Sequence, residues 1–226
     1  MLYRAKANRK NIVVAVNAGH GTSGGTSVKT LCHPDGSAKV TGGSTSAGST
    51  YAAAINEGTT LSGNTPERVA TLKLALRVKA DLLNAGYDVL MLRETDDVRL
   101  DNLARTIMAN NAADCHIAIH YDSTSSSKGL FYCSVPNNSR YRNMEPVKSH
   151  WREHEALGQA ILAGMRQNGV KIWNSGTLET DLTQTSYSTV PSAVVEVGDK
   201  TSSRSDSALA SLSAGFVRGV DLYFGK

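Results

Sequence analysis

The stretch Asn11-Ile-Val-Val-Ala-Val-Asn-Ala-Gly-His-Gly-Thr-Ser-Gly-Gly25 decides how the rest of the chain is read. Ile12 to Val16 is a β-branched run of strand length that carries no charge, which suits a buried strand. Asn17-Ala18-Gly19 breaks the run, and His20 follows between Gly19 and Gly21. A histidine so placed stands at the carboxyl end of a strand, where open α/β sheets take their ligands. The flanking glycines allow a sharp bend and leave room around the imidazole.

Downstream, Thr22 to Asn64 is rich in Gly, Ser and Thr, with one weakly apolar patch from Tyr51 to Ile55. It reads as a large insertion over one face of the domain, with room for a short hairpin. Helix signals then switch on: Thr65 as a cap, Pro66 at the first helical position and Glu67 in the first turn. Val69, Leu72, Leu76, Ala80 and Leu83 keep an amphipathic period until Asn84-Ala85-Gly86 ends the helix. Tyr87 to Leu92 is the next strand, followed by a helix from about Leu100 to Asn111 and a strand from His116 to His120. Gly129 to Val135 is another strand. Asn137 to Lys148 reads as polar loop, Ser149 as the cap of a helix running to about Asn168, and the residues to Thr189 as polar loop. A strand through Val190–Gly198 and a helix from about Ser205 to Tyr223 close the chain. This alternation predicts a three-layer α/β/α domain with a mostly parallel or mixed central sheet and helices on both faces.

At 226 residues, residues 1–226 are expected to form one domain. The net charge of +4 is spread along the chain with no Lys/Arg cluster, so no nucleic-acid partner is expected. No apolar run is long enough to span a membrane. Cys32, Cys115 and Cys133 are odd in number and lack CxxC spacing, against a disulfide framework or a zinc knuckle. The basic start MLYRAKANRK is followed by no apolar segment, so no export signal is visible.

Three polar residues each begin or end an element: His20, Glu67 and His120. Two imidazoles and a carboxylate, with a fourth position left to water, make the ligand set of a catalytic zinc. Glu196 is a fourth candidate, because it interrupts Ala193-Val-Val-Glu-Val197, a run otherwise suited to a buried strand. Singly, each has an ordinary reading. Glu67 can balance a helix N-terminus, His20 and His120 can be strand-end polar residues, and Glu196 can be a salt-bridged core acid. Two rival motifs are set aside. Gly19-His-Gly21-Thr-Ser-Gly24 matches G-x-G-x-x-G but opens no helix and lacks the acid-tipped second strand of a dinucleotide site. His150 and His154, four apart, lack the H-E-x-x-H pattern and are read as an exposed helix face. His116 shares a strand face with His120 but lies roughly 13 Å along it, too far to share a metal.

The order and spacing of several segments are similar to the zinc-dependent N-acetylmuramoyl-L-alanine amidases of the Amidase_3 family, over most of the chain. Ile12 to Gly21 resembles that family's strand and DPGHG turn, with Asn17-Ala18 in place of Asp-Pro. Glu67 with its helix and Gly86-Tyr87-x-Val89 resemble its second element, and Leu92-Arg-Glu-Thr-Asp96 its T-R-x-x-D. Arg105, Ala109-Asn110, Ala113-Asp114 and Ile117-Ala-Ile-His120 resemble its R…AN…AD…SIH segment. Pro191 to Gly198 resembles its closing P-a-v-L-v-E-x-G-F. Asp199 stands where the pattern has Phe, and Tyr121-Asp122 where it has a small residue and Asn. Both departures fall near the mouth of the site, where they bear on substrate preference.

The resemblance implies that His20, Glu67 and His120 bind Zn²⁺ and that Glu196 is the catalytic carboxylate. It implies hydrolysis, by zinc-activated water, of the amide joining N-acetylmuramic acid to L-alanine in peptidoglycan. The expected setting is extracellular or wall-associated, as a monomer with no membrane insertion. Two alternatives stand beside it. A carboxypeptidase-like zinc peptidase of the cell wall shares the metal, but its H-x-x-E pair is missing after His20. A non-catalytic wall-binding module would have no use for all four functional residues.

Overall fold

The computed structural model describes residues 1–21 and 25–226. Thr22, Ser23 and Gly24, which open the expected insertion and end the rejected glycine motif, lie outside the described residues. In chain order the elements begin with β1 (Leu2–Tyr3), β2 (Val13–Ala18), β3 (Lys29–Leu31), β4 (Tyr51–Ala53), β5 (Thr60–Leu61) and β6 (Thr65–Pro66). Then follow α1 (Glu67–Asn84), β7 (Asp88–Met91), α2 (Asn102–Ala112), β8 (Cys115–Asp122) and β9 (Leu130–Ser134). The remainder is α3 (Ser139–Arg142), α4 (Val147–Gln167), β10 (Ile172–Glu179), α5 (Thr183–Tyr187), β11 (Ser192–Asp199) and α6 (Asp206–Phe224).

The main sheet has seven strands in the order β1-β7-β2-β8-β11-β9-β10. β7, β2, β8 and β11 are parallel, β1 pairs antiparallel with β7, and β9 pairs antiparallel with β11 and parallel with β10. The expected mixed three-layer sheet is therefore present. The parallel strands are apolar on both faces because both are covered. Val14, Val16, Ile117, Ile119 and Val195 face α1, α4 and α6, in one core with Leu74, Leu157 and Phe216. On the other face Ala15, Leu90 and Leu92 meet Ala109 of α2. The reversal at β9 sets its start beside the carboxyl end of β11, with Glu196 opposite Phe131.

Four expectations are corrected. Thr65 and Pro66 form β6, paired with β5, rather than a helix start, and no side chain caps α1. The stripe expected on α1 is displaced: Val69 and Leu76 are 40% and 39% exposed, while Ala70, Thr71, Leu74, Ala75, Val78 and Leu82 are buried with Glu67. Apolar residues surround most of this helix, so a 3.6 period admits two stripes, and packing chose the one that carries Glu67. α4 starts at Val147, not after Ser149. The segment before it is no polar loop: Tyr141, Met144 and Val147 close a small separate core with Val135. Finally, the span before Thr189 contains β10 and α5. β10 is an edge strand with mostly exposed or half-buried residues, so no apolar alternation marks it.

Within the insertion, β3 and β4 pair antiparallel. The fully buried Asp181 carboxylate ties residues 33–41 to the domain. It accepts from the N–H groups of Val40 at 2.6 Å and Thr41 at 3.1 Å, from His33 Nε2 at 3.1 Å and Lys39 Nζ at 2.9 Å, and from the Thr41 hydroxyl. Those donors hold Asp181 well below the usual carboxylate range, more than offsetting the upward push of burial.

Candidate metal centre and catalytic face

His20 leaves β2 at φ 63°, a left-handed conformation that costs a non-glycine residue about 1–2 kcal/mol. Its turn is held from behind. Arg93 donates to the carbonyls of Ala18 and Gly19, both at 2.9 Å, and the Thr71 hydroxyl donates to the Gly19 carbonyl at 2.8 Å. Arg105 donates to the Asn17 side-chain oxygen and the Ala18 carbonyl, both at 2.8 Å, and to the His20 carbonyl. Burial pushes both guanidinium groups down to about 10, which leaves them charged at neutral pH. Sequence reasoning placed these arginines in motifs without giving them work. The signal available was a charge following directly on the buried run ending at Leu92, at the sheet end that carries His20.

Three donor atoms converge in front of this turn. His20 Nε2 lies 3.0 Å from Glu67 Oε1, His120 Nδ1 lies 3.3 Å from the same oxygen, and the two ring nitrogens are 3.1 Å apart. A tetrahedral zinc about 2.0–2.1 Å from each donor requires edges of about 3.3–3.4 Å. The set therefore fits a metal ion in chemistry and in size. Among the described residues it is the one group of three or more His, Cys, Asp or Glu able to hold one.

Two of the three donors are aimed by hydrogen bonds from outside the cluster. His20 Nδ1 lies 2.9 Å from the Asn56 carbonyl, which can only accept, so that nitrogen carries the hydrogen and the Nε2 lone pair faces the cluster. Glu67 Oε1 accepts from the Tyr121 N–H at 3.0 Å and Oε2 from the Thr59 N–H at 2.9 Å. Burial pushes the Glu67 carboxyl up, but His120 and His20 more than offset this and hold it below its ordinary range. Burial also lowers His120, favouring the neutral, ligating imidazole. A Cβ on Gly58 would fall 2.7 Å from the His20 ring and 2.8 Å from Glu67 Oε2.

Glu196 is the Cα partner of His120 across β11 and β8. It is half-buried, and its Oε2 has no hydrogen-bond partner among the described residues. Burial, and then the negative charges of Glu67 and Asp122, raise its carboxyl well above the ordinary value, against an opposing pull from Lys128. A buried carboxyl with a free oxygen beside a donor cluster is a candidate for moving protons.

The rival histidines lie elsewhere. His154 is 2% exposed, and its Nδ1 accepts the Ser192 N–H at 3.1 Å, so the reading of the His150–His154 pair as an exposed face is corrected. His150 pairs with Glu153 at 2.9 Å. The charged neighbours Arg152, Glu153 and Glu155 suggest exposure, but α4 packs its His154 side under β11. His116 is fully buried, outside the cluster, with neither ring nitrogen hydrogen-bonded among the described residues.

The family model described as N-acetylmuramoyl-L-alanine amidase, Amidase_3, matches residues 14–214. The chain belongs to this family. These amidases act on peptidoglycan. No curated protein sequence matches the chain. Solved amidases share the fold. The N-acetylmuramyl-L-alanine amidase Ami1 from Mycobacterium smegmatis superposes with a TM-score of 0.77 at 17% identity, covering 95% of this chain and 97% of that one. Ami1 from Mycobacterium abscessus gives 0.74 at 18% identity, covering 95% and 99%. The amidase AmiC2 of Nostoc punctiforme gives 0.66 at 19% identity, covering 96% and 99%.

Proposed function

We propose that the chain is a zinc-dependent N-acetylmuramoyl-L-alanine amidase of the cell wall, with His20, Glu67 and His120 as metal ligands and Glu196 as the group that moves the proton. The observation that carries this reading is the triangle of donor atoms with edges of 3.0, 3.1 and 3.3 Å, set beside a carboxyl with an unpartnered buried oxygen. Zinc, when bound, lowers the pKa of a ligated water and polarises a carbonyl. Glu196 accepts the proton of the attacking water and returns it to the nitrogen that leaves as the amine of L-alanine. Arg93 and Arg105 keep the His20 turn in place without touching substrate. All four functional groups come from one chain, which supports action as a monomer, and the polymeric substrate supports a site of action outside the cell membrane.

The test uses purified peptidoglycan and a strong chelator. The metal-free protein is expected to release no new L-alanine amines, and stoichiometric Zn²⁺ is expected to restore release without shortening the glycan strands. Full release by metal-free protein would overturn the metal assignment. New amines from residues other than L-alanine would point to a stem-peptide peptidase instead.

A further inference from the structure

On the side of Glu196 away from His120, the sheet carries a row of side chains that the proposed chemistry does not use. Phe131 of β9 is the register partner of Glu196 and faces the same side. Trp173 of β10 packs on it, with ring centroids 5.1 Å apart. His120, Glu196, Phe131 and Trp173 thus lie on four adjacent strands at the same end of the sheet. Lys128 lies over the two aromatic rings, its Nζ 4.6 Å from the Trp173 centroid and 5.3 Å from that of Phe131. It is held there by Asp122 at 2.5 Å, and Asp199 Oδ2 accepts the Lys128 N–H at 2.9 Å. Asp122 and Asp199 are two of the positions at which this chain departs from the family pattern. Both hold Lys128, while Asp199 Oδ1 also accepts from Thr201 and Asp122 Oδ2 from the Thr124 hydroxyl. Beside this platform opens a cleft of about 410 Å³ lined by Trp173, Lys128, Lys171 and Ser126, with Lys171 exposed at its rim.

We infer that the Trp173–Lys128–Lys171 platform is the subsite for the stem peptide on the leaving side of the scissile amide, and that it reads an aliphatic stretch and a free carboxylate there. The inference rests on the amidase reading for its direction. Glu196 returns a proton to the leaving amine, so the amine half of the substrate lies over Glu196 and the strands beyond it. Strands are spaced about 4.8 Å apart, so Trp173, two strands from Glu196, lies roughly 10 Å away. An extended peptide advances about 3.3–3.6 Å per residue, which brings its second or third residue over the indole. Stem peptides carry carboxylates in that region, and a lysine on a rim beside an aromatic face suits one.

Two measurements test this. The first follows turnover on N-acetylmuramoyl-L-alanine and on the same sugar bearing a tripeptide stem, with W173A and with K171E. The indole covers Phe131, whereas Lys171 is exposed, so K171E keeps the test valid should W173A fold poorly. Each variant is expected to lower kcat/KM for the tripeptide substrate by about tenfold more than for the short one, mainly through KM. Equal effects on both substrates would overturn the subsite. The second measurement needs no turnover: free L-Ala-D-isoGlu-L-Lys tripeptide is titrated into wild type and K171E, with binding read by calorimetry and by tryptophan fluorescence. Weaker binding by K171E, and loss of the fluorescence response in W173F, are expected. Binding unaffected by either change would overturn the proposal even in an active amidase. Tripeptide binding that depends on Lys171 in a protein that cleaves neither substrate would uphold the subsite and refute the amidase reading alone.

Discussion

Replacing Gly19 with alanine separates the geometry of the metal cluster from the stability of the fold. Gly19 lies outside the left-handed region, so its backbone accepts a Cβ. That Cβ falls 2.4 Å from Cε1 of His120 and 2.6 Å from each of its ring nitrogens. Carbon contacts are favourable from about 3.5 Å, so the ring must withdraw by about 1 Å. It has somewhere to go, since the His120 side chain is 23% exposed. Losing a hydrogen bond behind a metal ligand already weakens binding by about 10–100-fold, and withdrawing the ligand itself should cost at least that. The fold should persist, because Gly→Ala at a compatible site stabilises by about 0.4–1 kcal/mol through the unfolded chain. Zinc affinity is to be read by competition with a chelating dye, and the thermal midpoint on metal-free protein. The expected result is a zinc Kd raised at least tenfold with the midpoint unchanged or slightly higher. Wild-type zinc affinity in folded G19A would show that His120 does not ligate from the position described.

Glu196→Gln should keep zinc and the thermal midpoint while alanine-amine release falls about 10²–10⁴-fold, the usual contribution of a general acid–base; zinc lost from a folded E196Q would make Glu196 a ligand instead. Asp181→Ala strands the buried Lys39 ammonium, so it should cost about 3–5 kcal/mol in denaturant unfolding and open residues 33–41 to limited proteolysis; an unchanged cleavage pattern would refute the latch. Acid should also destabilise the fold. Burial, then Arg105 and His154, lower His116 to about 3, and burial, then His150, lower His154 to about 4. Below the ordinary histidine value of about 6.5 the unfolded chain binds protons that these buried rings refuse, so stability falls with falling pH towards those two values. At about 1.4 kcal/mol per unit, His154 alone accounts for roughly 3 kcal/mol. Urea midpoints that stay flat between pH 6.5 and 4.5, above the carboxylate range, would contradict this.

The elements that locate the catalytic face were readable because each announces itself locally. β2 is an uncharged β-branched run that ends in Gly-His-Gly, and Glu196 is the acid inside an apolar strand. The closing helix also starts where expected, its Ser205 hydroxyl accepting from the Ala208 N–H at 3.2 Å. What escaped depends on partners far along the chain. Arg105 reaches carbonyls 85 and 87 residues away, and Asp181 gathers donors 140 to 148 residues away, so no window of sequence displays either. β10 was missed because an edge strand with polar residues and Gly176 shows no period. Glu67 was legible as a candidate, but the stripe drawn beside it was not the one it belongs to; asking which stripe contained the acid would have corrected the helix face.

The support behind the His20 turn has a consequence for how the protein would meet the proposed metal. Asn56, Thr59, Tyr121 and the two arginines hold His20 and Glu67 through protein hydrogen bonds, unlike a zinc finger, which folds only when loaded. Loading is then capture by a finished cradle, and little chain entropy is lost at that moment. The stabilisation gained should rise only with the logarithm of free zinc relative to Kd, so on the proposed zinc dependence a compartment poor in zinc would hold this protein folded and idle rather than unfolded.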